Sequence, residues 1–158
     1  IEYNVRMGDP ECQTIIPKLK TDLVEVLNAC VNKNLKSINL DWHEDKSLCI
    51  VLCSKGYPDK YENNIQIKNL ENIQLMENEY IFHAGTKKDN SKIYSNGGRV
   101  LNFVIRSKDF KNNREKAINL INQVNWDNGF YRKDIGYKVI DKWELLVEKI
   151  KVKKLIFQ

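Results

Sequence analysis

Short apolar runs in the middle of the chain predict β-strands. Residues 47–54 (SLCIVLCS) are apolar and rich in β-branched side chains, and the turn-forming residues 55–61 (KGYPDKY) end this run. Similar runs occupy residues 79–86 (EYIFHAGT), 92–96 (KIYSN) and 98–107 (GRVLNFVIRS). Their lengths are those of ordinary strands, so we expect a sheet of four strands.

Three other segments repeat their apolar residues every three or four positions, which predicts amphipathic α-helices. They are residues 21–35 (TDLVEVLNACVNKNL), 112–124 (NNREKAINLINQV) and 138–150 (KVIDKWELLVEKI). Thr21 is the predicted cap of the first helix, and Trp143 is expected to pack the last one. The positions expected on the buried side of the first helix are Leu23, Val26, Leu27, Cys30, Val31 and Leu35.

The order of these elements indicates the fold class. Strands and helices do not alternate regularly, which favours an α+β fold with a largely antiparallel sheet and packed helices. Residues 36–46 are polar and form the predicted connection between two domains. We therefore expect residues 1–36 to end one domain, residues 37–141 to form a second, and residues 142–158 to form a helical tail.

The chain opens with IEYNVR, in which apolar and polar residues alternate. In an extended strand, Glu2, Asn4 and Arg6 share one face, and the apolar residues between them share the other, buried face. Carboxylate and amide oxygens are ligands for Mg²⁺, and a guanidinium can bind a phosphate through two parallel hydrogen bonds. The spacing is equally typical of the solvated outer side of an edge strand, so by itself it leaves both interpretations open.

Composition and length are those of a globular protein. The 158 residues are 42% hydrophobic and 30% charged, enough for one ordinary domain or for the end of one domain and a small second one. No apolar run approaches the roughly 18 residues that span a bilayer, and no signal-peptide pattern is visible, so no membrane association is expected. The chain begins without Met and within a strand-like pattern, and we expect it to start inside a longer protein.

Charge and cysteine usage narrow the function classes further. The net charge of +5 is spread along the chain, which is compatible with phosphate-bearing ligands. A nucleic-acid partner is not expected, because basic residues are not interleaved with stacking aromatic residues. The four cysteines and two histidines do not have the spacing of a zinc site, so we expect reduced, buried thiols in a cytoplasmic protein.

Five segments, in this order, resemble the motifs of the phosphoribosylamine–glycine ligases, also called glycinamide ribonucleotide synthetases. They are EYNVRMGDPECQ (2–13), SKGYP (54–58), FHAGTK (82–87), NGGRVLNF (96–103) and YRKDIG (131–136). The resemblance extends from residue 1 to about residue 140 and concerns the C-terminal portion of these ATP-grasp enzymes. It implies that residues 1–36 end the ATP-grasp domain and that the upstream part of the same polypeptide carries the rest of it.

The resemblance also implies a reaction. Family members use ATP as co-substrate to phosphorylate the carboxylate of glycine, and the amine of 5-phosphoribosylamine then attacks the glycyl phosphate. Mg²⁺ or Mn²⁺ is the implied metal, with Glu2 and Asn4 as its ligands. The alternative is a non-catalytic module that binds nucleotides or nucleic acid. If the chain belongs to such a ligase, the 158-residue piece alone is expected to be inactive, because the upstream nucleotide contacts precede Ile1.

The other predicted site residues come from the opening segment and from the GDPE, FHAGT and NGGRV motifs. Arg6 is the predicted catalytic residue and also binds substrate. Asp9 is expected near the ammonium group of glycine, although Asp9-Pro10 is also ordinary turn chemistry. The remaining predicted substrate contacts are Thr86, Gly98 and Arg99, with Arg99 meeting the ribose phosphate. For Glu11, His83 and the Arg132–Asp134 pair, structural contacts are favoured over functional ones.

Overall fold

The computed structural model describes residues 4–140, and residues 1–3 and 141–158 lie outside the described part. The α-helices with both ends described are α1 (Glu11–Ile15), α2 (Leu23–Val31) and α3 (Phe110–Ile121). Single 3₁₀ turns occupy Ile16–Lys18, Leu35–Ser37 and Leu70–Asn72. The strands are β1 (Lys46–Ser54), β2 (Gln66–Ile67), β3 (Glu79–His83), β4 (Thr86–Asp89), β5 (Lys92–Ser95), β6 (Arg99–Ser107) and β7 (Gly129–Phe130).

The strands form two antiparallel sheets. The larger sheet has the order β3-β6-β1-β7, and the smaller one has the order β2-β5-β4. Within the larger sheet, β1 and β6 pair along nearly their whole length, from Lys46 opposite Ser107 to Cys53 opposite Arg99. The predicted α+β fold with a largely antiparallel sheet is therefore confirmed.

The hydrophobic core lies between α3 and one face of the larger sheet. Leu48, Ile50 and Leu52 of β1 alternate with residues on the other face, as the two-residue period of a strand requires. They pack with Leu101, Phe103 and Ile105 of β6 and with Ala117, Leu120 and Ile121 of α3. Phe103 is fully buried, so truncating it to Ala would cost about 3–5 kcal/mol of unfolding free energy.

The opposite face of the larger sheet is covered in part by α1, which packs on β1 and β6. Cys49 and Val104 are paired across the two strands and therefore share this second face. The Cys49 thiol lies close enough to Thr14 of α1 to hydrogen-bond its side chain. The chain segment before α2 thus forms one wall over the sheet.

Helix α2 differs from its prediction. Its cap is Asp22, whose carboxylate accepts a hydrogen bond from the Val24 N–H (2.7 Å), whereas the Thr21 hydroxyl contacts the backbone of residues 39 and 41. The predicted buried side is also wrong for most positions. Leu23, Leu27 and Val31 are 39–80% exposed, and Ala29 is the buried residue of the helix. Helical periodicity identifies an apolar side but not whether a neighbouring element covers it.

The predicted opening strand is wrong for residues 4–6. They have no strand conformation, and Val5, expected on a buried face, is fully exposed. A strand needs a hydrogen-bonded neighbour, and within residues 4–140 none pairs with this segment. The predicted run 79–86 also ends early, because a tight turn separates β3 from β4.

The last predicted helix lies mostly outside the described residues. Residues 137–140 are helical, and Trp143 lies beyond the described residues.

Residues 36–46, the predicted connection, run back along residues 18–21, and the His43 N–H donates to the Lys18 carbonyl (2.8 Å). In the part of the chain that is described, every helix is too short or too polar to span a membrane.

Candidate functional site

A cavity of about 580 Å³ lies between residues 6–17 and the ends of β3 and β6. One wall, formed by residues 6–17, contributes Arg6, Asp9 and Gln13. The opposite wall, formed by the ends of β3 and β6, contributes His83 and Arg99. The cavity volume is within the usual range for small-molecule sites. The cavity therefore joins three of the five motifs that carry the family resemblance.

Arg99 connects the two walls of the cavity. Its Nη1 donates to the carbonyl of Asp9 (2.7 Å), and its Nε lies 3.3 Å from the Asp9 carboxylate oxygen Oδ2. Both side chains are more than one-third exposed, so the ion pair itself adds at most about 1 kcal/mol to stability. Its larger effect is on orientation, because a guanidinium has five N–H donors and these contacts leave Nη2 available.

A β-bulge places Arg99 on the cavity side of the sheet. Strict alternation would put Arg99 on the same face as Leu101, which belongs to the core. The register of β1 and β6 shifts between Leu52 and Cys53, so that Val100 is the additional residue of β6. Val100 and Leu101 both join the core, and Arg99 points to the opposite face. Bulges commonly redirect side chains next to functional sites.

The Asp9 carboxylate has a second partner that sequence reasoning missed. Gln13 Nε2 donates to Asp9 Oδ1 (2.7 Å), four residues further along the chain. This spacing places the two side chains on one side of the turn that enters α1, and it is the signal that could have identified Gln13. Gln13 Oε1 is buried without a hydrogen-bond partner among the described residues.

Arg6 lines the cavity, whereas Glu11 immediately precedes the lining residue Cys12. Arg6 is exposed, and its Nη1 donates to the Met7 carbonyl (3.0 Å). Glu11 is the first residue of α1, and its Oε2 accepts the Gly8 N–H (2.7 Å), in agreement with its predicted structural contact. Arg6 and Arg99 thus line one cavity from opposite walls, which suits an anionic ligand.

Thr86 and Gly98 lie beside residues that line the cavity. Thr86 Oγ1 is 3.0 Å from His83 Nδ1, and His83 lines the cavity. Gly98 immediately precedes Arg99, and a side chain at this position would overlap the ring of Tyr57.

Arg132 and Asp134 form the predicted ion pair through Nη2 and Oδ2 (2.6 Å), which lowers the pKa of the Asp134 carboxyl.

Two thiols behind the cavity are shifted towards their protonated forms. Burial raises the pKa of Cys49 to about 12, and the nearby Asp9 carboxylate acts in the same direction. Burial also raises the pKa of Cys53, against the opposing effect of the Arg99 guanidinium. Neither is a thiolate nucleophile at neutral pH. The prediction that the cysteines are buried is wrong for Cys30, which lies on the exposed helix α2.

The described residues test the predicted magnesium ligands only in part. Asn4 is exposed and lines a second, open cavity with Arg6 and Glu11, whereas Glu2 lies outside the described residues. Within residues 4–140, no three His, Cys, Asp or Glu side chains are grouped to hold a metal ion. The Glu2–Asn4 site therefore stays a prediction, and no chemical step is derived through the metal.

The sequence profile of the family described as "Phosphoribosylglycinamide synthetase, C domain" matches residues 47–138, more than half of the chain. The chain belongs to this family. The match begins at the first strand of the larger sheet and includes the His83, Thr86 and Arg99 side of the cavity. The predicted family resemblance is thereby confirmed.

The chain is similar to two proteins named phosphoribosylamine–glycine ligase and to one named as a trifunctional purine biosynthetic protein. A chloroplastic phosphoribosylamine–glycine ligase of Arabidopsis thaliana is 42% identical over 142 residues, which are 89% of this chain and 27% of the relative. The corresponding ligase of Fusobacterium nucleatum is 42% identical over 137 residues, covering 86% of this chain and 32% of the relative. A trifunctional purine biosynthetic protein of Gallus gallus is 40% identical over 89% of this chain and 14% of its own length.

A solved structure agrees with these relatives. The phosphoribosylamine–glycine ligase of Thermotoga maritima superposes with a TM-score of 0.61 and 32% identity, covering 85% of this chain and 32% of that protein. The chain thus spans about a third or less of the length of the relatives described here. The matched region is accordingly one portion of each of these longer proteins.

Proposed function

We propose that this synthetase C domain is the C-terminal part of an ATP-dependent ligase that joins glycine to 5-phosphoribosylamine. The observation that carries the proposal is the cavity whose opposite walls present Arg6 and Arg99. The names of the relatives support the same reaction and its place in purine biosynthesis. An anionic intermediate and a phosphorylated amine are ligands that a pair of guanidinium groups can bind.

The proposed reaction has two steps. ATP transfers its γ-phosphoryl group to the glycine carboxylate, which forms glycyl phosphate and ADP. The amine nitrogen of 5-phosphoribosylamine then attacks the carbonyl carbon, the carbon–oxygen bond to phosphate breaks, and the nitrogen loses a proton. Charge develops on the phosphoryl oxygens in both steps, and a preorganised guanidinium stabilises such charge.

The proposed roles of the cavity residues follow from their positions. Arg6, which is exposed and lines the cavity, contacts the transferring phosphoryl or acyl-phosphate oxygens. Arg99 binds the ribose phosphate, with Thr86 and the Gly98 backbone amide as secondary donors. Asp9 keeps acceptor capacity beyond its contacts with Arg99 and Gln13, and this capacity suits the glycine ammonium group.

The remaining parts of the proposal concern residues and segments outside the cavity. Glu2 and Asn4 would hold Mg²⁺ or Mn²⁺, which neutralises charge on nucleotide phosphates when it is bound. Residues 1–36 would end the ATP-grasp domain, residues 37–141 would form the C-terminal domain, and residues 142–158 would be a helical tail. The upstream polypeptide would supply most ATP contacts. We propose a cytoplasmic location, although the relative from Arabidopsis thaliana is named chloroplastic.

The test uses the intact polypeptide that contains this chain. ADP formation should require both glycine and 5-phosphoribosylamine for turnover. Arg99→Lys should raise the KM for 5-phosphoribosylamine roughly tenfold, because one charge-assisted hydrogen bond is lost. Arg132→Lys is the matched control, since Arg132 pairs with Asp134 and not with a cavity residue.

Two results would contradict the proposal. Absence of glycine-dependent ADP formation by the intact polypeptide would exclude the ligase reaction. Equal KM values for wild type, Arg99→Lys and Arg132→Lys would instead exclude Arg99 as the ribose-phosphate contact.

A further inference from the structure

The SKGYP motif, residues 54–58, forms a turn that contacts the backbone immediately before Arg99. Ser54 is fully buried, and its Oγ donates to the Gly97 carbonyl (2.7 Å). Its backbone N–H donates to the Gly98 carbonyl (2.8 Å). One residue therefore binds two consecutive carbonyls in the segment that immediately precedes Arg99.

Tyr57 adds a packing contact to these hydrogen bonds. A Cβ atom at position 98 would overlap ring carbons of Tyr57, so the ring lies directly against the Gly98 backbone. Gly56 allows this approach, because its φ of +97° is a conformation that residues with side chains rarely adopt. The turn therefore packs the Tyr57 ring against Gly98, the residue that precedes Arg99.

The turn at residues 83–86 (HAGT) contacts the same stretch of backbone from another side. Gly85 donates its N–H to the Arg99 carbonyl (2.9 Å) and accepts the Asn96 N–H (2.8 Å). A Cβ atom on Gly85 would lie 2.9 Å from Cα of Gly97. Residues 97–99 are thus fixed between two turns, while the Arg99 side chain extends to Asp9 across the cavity.

We infer that Tyr57 and Ser54 are positioning residues for Arg99. They contact the backbone of residues 97 and 98 and act on substrate indirectly, chiefly through the Arg99 guanidinium that this backbone carries into the cavity. The inference rests on the proposed function, in which Arg99 binds the ribose phosphate. It assigns a role to the SKGYP motif, which is otherwise an ordinary turn.

The size of the expected effect follows from geometry. Loss of the Tyr57 ring opens space beside Gly98, and the start of β6 can then shift. A displacement of about 1 Å at a positioned group can reduce rates by roughly a hundredfold. Because Arg99 is predicted to hold one substrate and not the nucleotide, the defect should be specific for 5-phosphoribosylamine.

The experiment measures steady-state kinetics of the intact polypeptide with Tyr57→Ala, Tyr57→Phe and the control Tyr137→Ala. Tyr57→Ala should raise the KM for 5-phosphoribosylamine by roughly ten- to a hundredfold and leave the KM for ATP unchanged. Tyr57→Phe should have the same KM as wild type, because it retains the ring carbons that contact Gly98. Tyr137→Ala removes an exposed tyrosine ring elsewhere and should have no effect on this KM.

A double-mutant cycle with Arg99 separates positioning from a general structural effect. In an Arg99→Ala background, Tyr57→Ala should cause a much smaller further rise in this KM than in wild type, because the guanidinium that it positions is absent. A further rise of the same size as in wild type would overturn the inference. A Tyr57→Ala enzyme with wild-type KM, beside a defective Arg99→Ala enzyme, would also overturn it while leaving the proposed function intact.

Gly98→Ala is the second variant, in case Tyr57→Ala is poorly folded. The added methyl group competes with the Tyr57 ring for the same space, so this change should raise the KM for 5-phosphoribosylamine as well. Ribose 5-phosphate binding, measured by calorimetry, should weaken in parallel. Wild-type binding by a folded Gly98→Ala protein would contradict the role of the contact.

Discussion

At the scale of single residues, the cavity depends on contacts between positions far apart in the chain. Arg99 and Asp9 are separated by 90 residues and meet through a backbone hydrogen bond and an ion pair. Neither contact is strong, since both side chains are partly exposed to solvent. Their value lies in orienting the guanidinium, and a charge-conserving Arg99→Lys change would retain the charge and lose this geometry.

The thiols behind the cavity give a residue-scale prediction with a defined pH dependence. Because burial raises the pKa of Cys49 from 9.0 to about 12, folding favours its protonated form. Its contribution to stability is complete below pH 9 and is lost as the pH rises towards 12. At pH 8, iodoacetamide should therefore label the exposed Cys30 much faster than Cys49, as measured by mass spectrometry of the folded protein.

A denatured sample provides the control for this labelling experiment. Unfolding removes the burial that protects Cys49, so Cys30 and Cys49 should then react at similar rates. Equal labelling of both residues in the native protein would show that Cys49 is not shielded.

At the scale of elements, α3 and α2 have similar caps and different importance. Asp109 accepts the Asn112 N–H (2.7 Å) at the start of α3, and Asp22 accepts the Val24 N–H (2.7 Å) at the start of α2. Helix α3 carries core residues such as Ala117, whereas most of α2 is exposed. Unfolding of α2 therefore exposes little of the core that α3 covers.

This difference predicts unequal effects of two matched substitutions. Asp109→Ala should reduce the free energy of global unfolding by about 1 kcal/mol, which is the usual value of a lost N-cap. Asp22→Ala should change global unfolding much less and instead increase amide exchange within α2. Urea denaturation followed by hydrogen exchange would measure both, and equal losses of global stability would contradict the assignment of the core to α3.

At the scale of the whole molecule, the described residues leave the cavity open and most of helix α2 exposed. The cavity is open between its two walls, and the apolar residues Leu23, Leu27 and Val31 of α2 are exposed. The chain also spans about a third of the length of the bacterial ligase from Fusobacterium nucleatum. Within the proposed function, further polypeptide would complete the nucleotide contacts.

The 158-residue chain alone should therefore not hydrolyse ATP in the presence of glycine. Phosphoryl transfer requires nucleotide phosphates held against the acceptor, and the proposed upstream contacts are needed for this positioning. A coupled assay for ADP, compared with the intact polypeptide at equal concentration, tests this expectation. A cooperative thermal unfolding transition of the chain is the control for folding, and glycine-dependent ADP release by the folded chain would contradict the prediction.

The sequence by itself determined the elements whose burial pattern is long and regular. Strands β1 and β6 and helix α3 are close to their predicted bounds, because each has enough apolar positions to make one period unambiguous. The ordered motifs also identified the family, and they named Asp9 and Arg99 as site residues before any contact between them was known.

Tertiary structure decided what depends on partners distant in the chain. The two-residue strands β2 and β7 have too few positions for a period, and they exist because neighbouring strands supply their hydrogen bonds. Residues 4–6 alternate in the sequence, yet within the described chain no neighbour pairs with them. The bulge at Val100 reverses the side of Arg99, and only the pairing of β6 with β1 produces that shift, since alternation along one strand would place the guanidinium in the core.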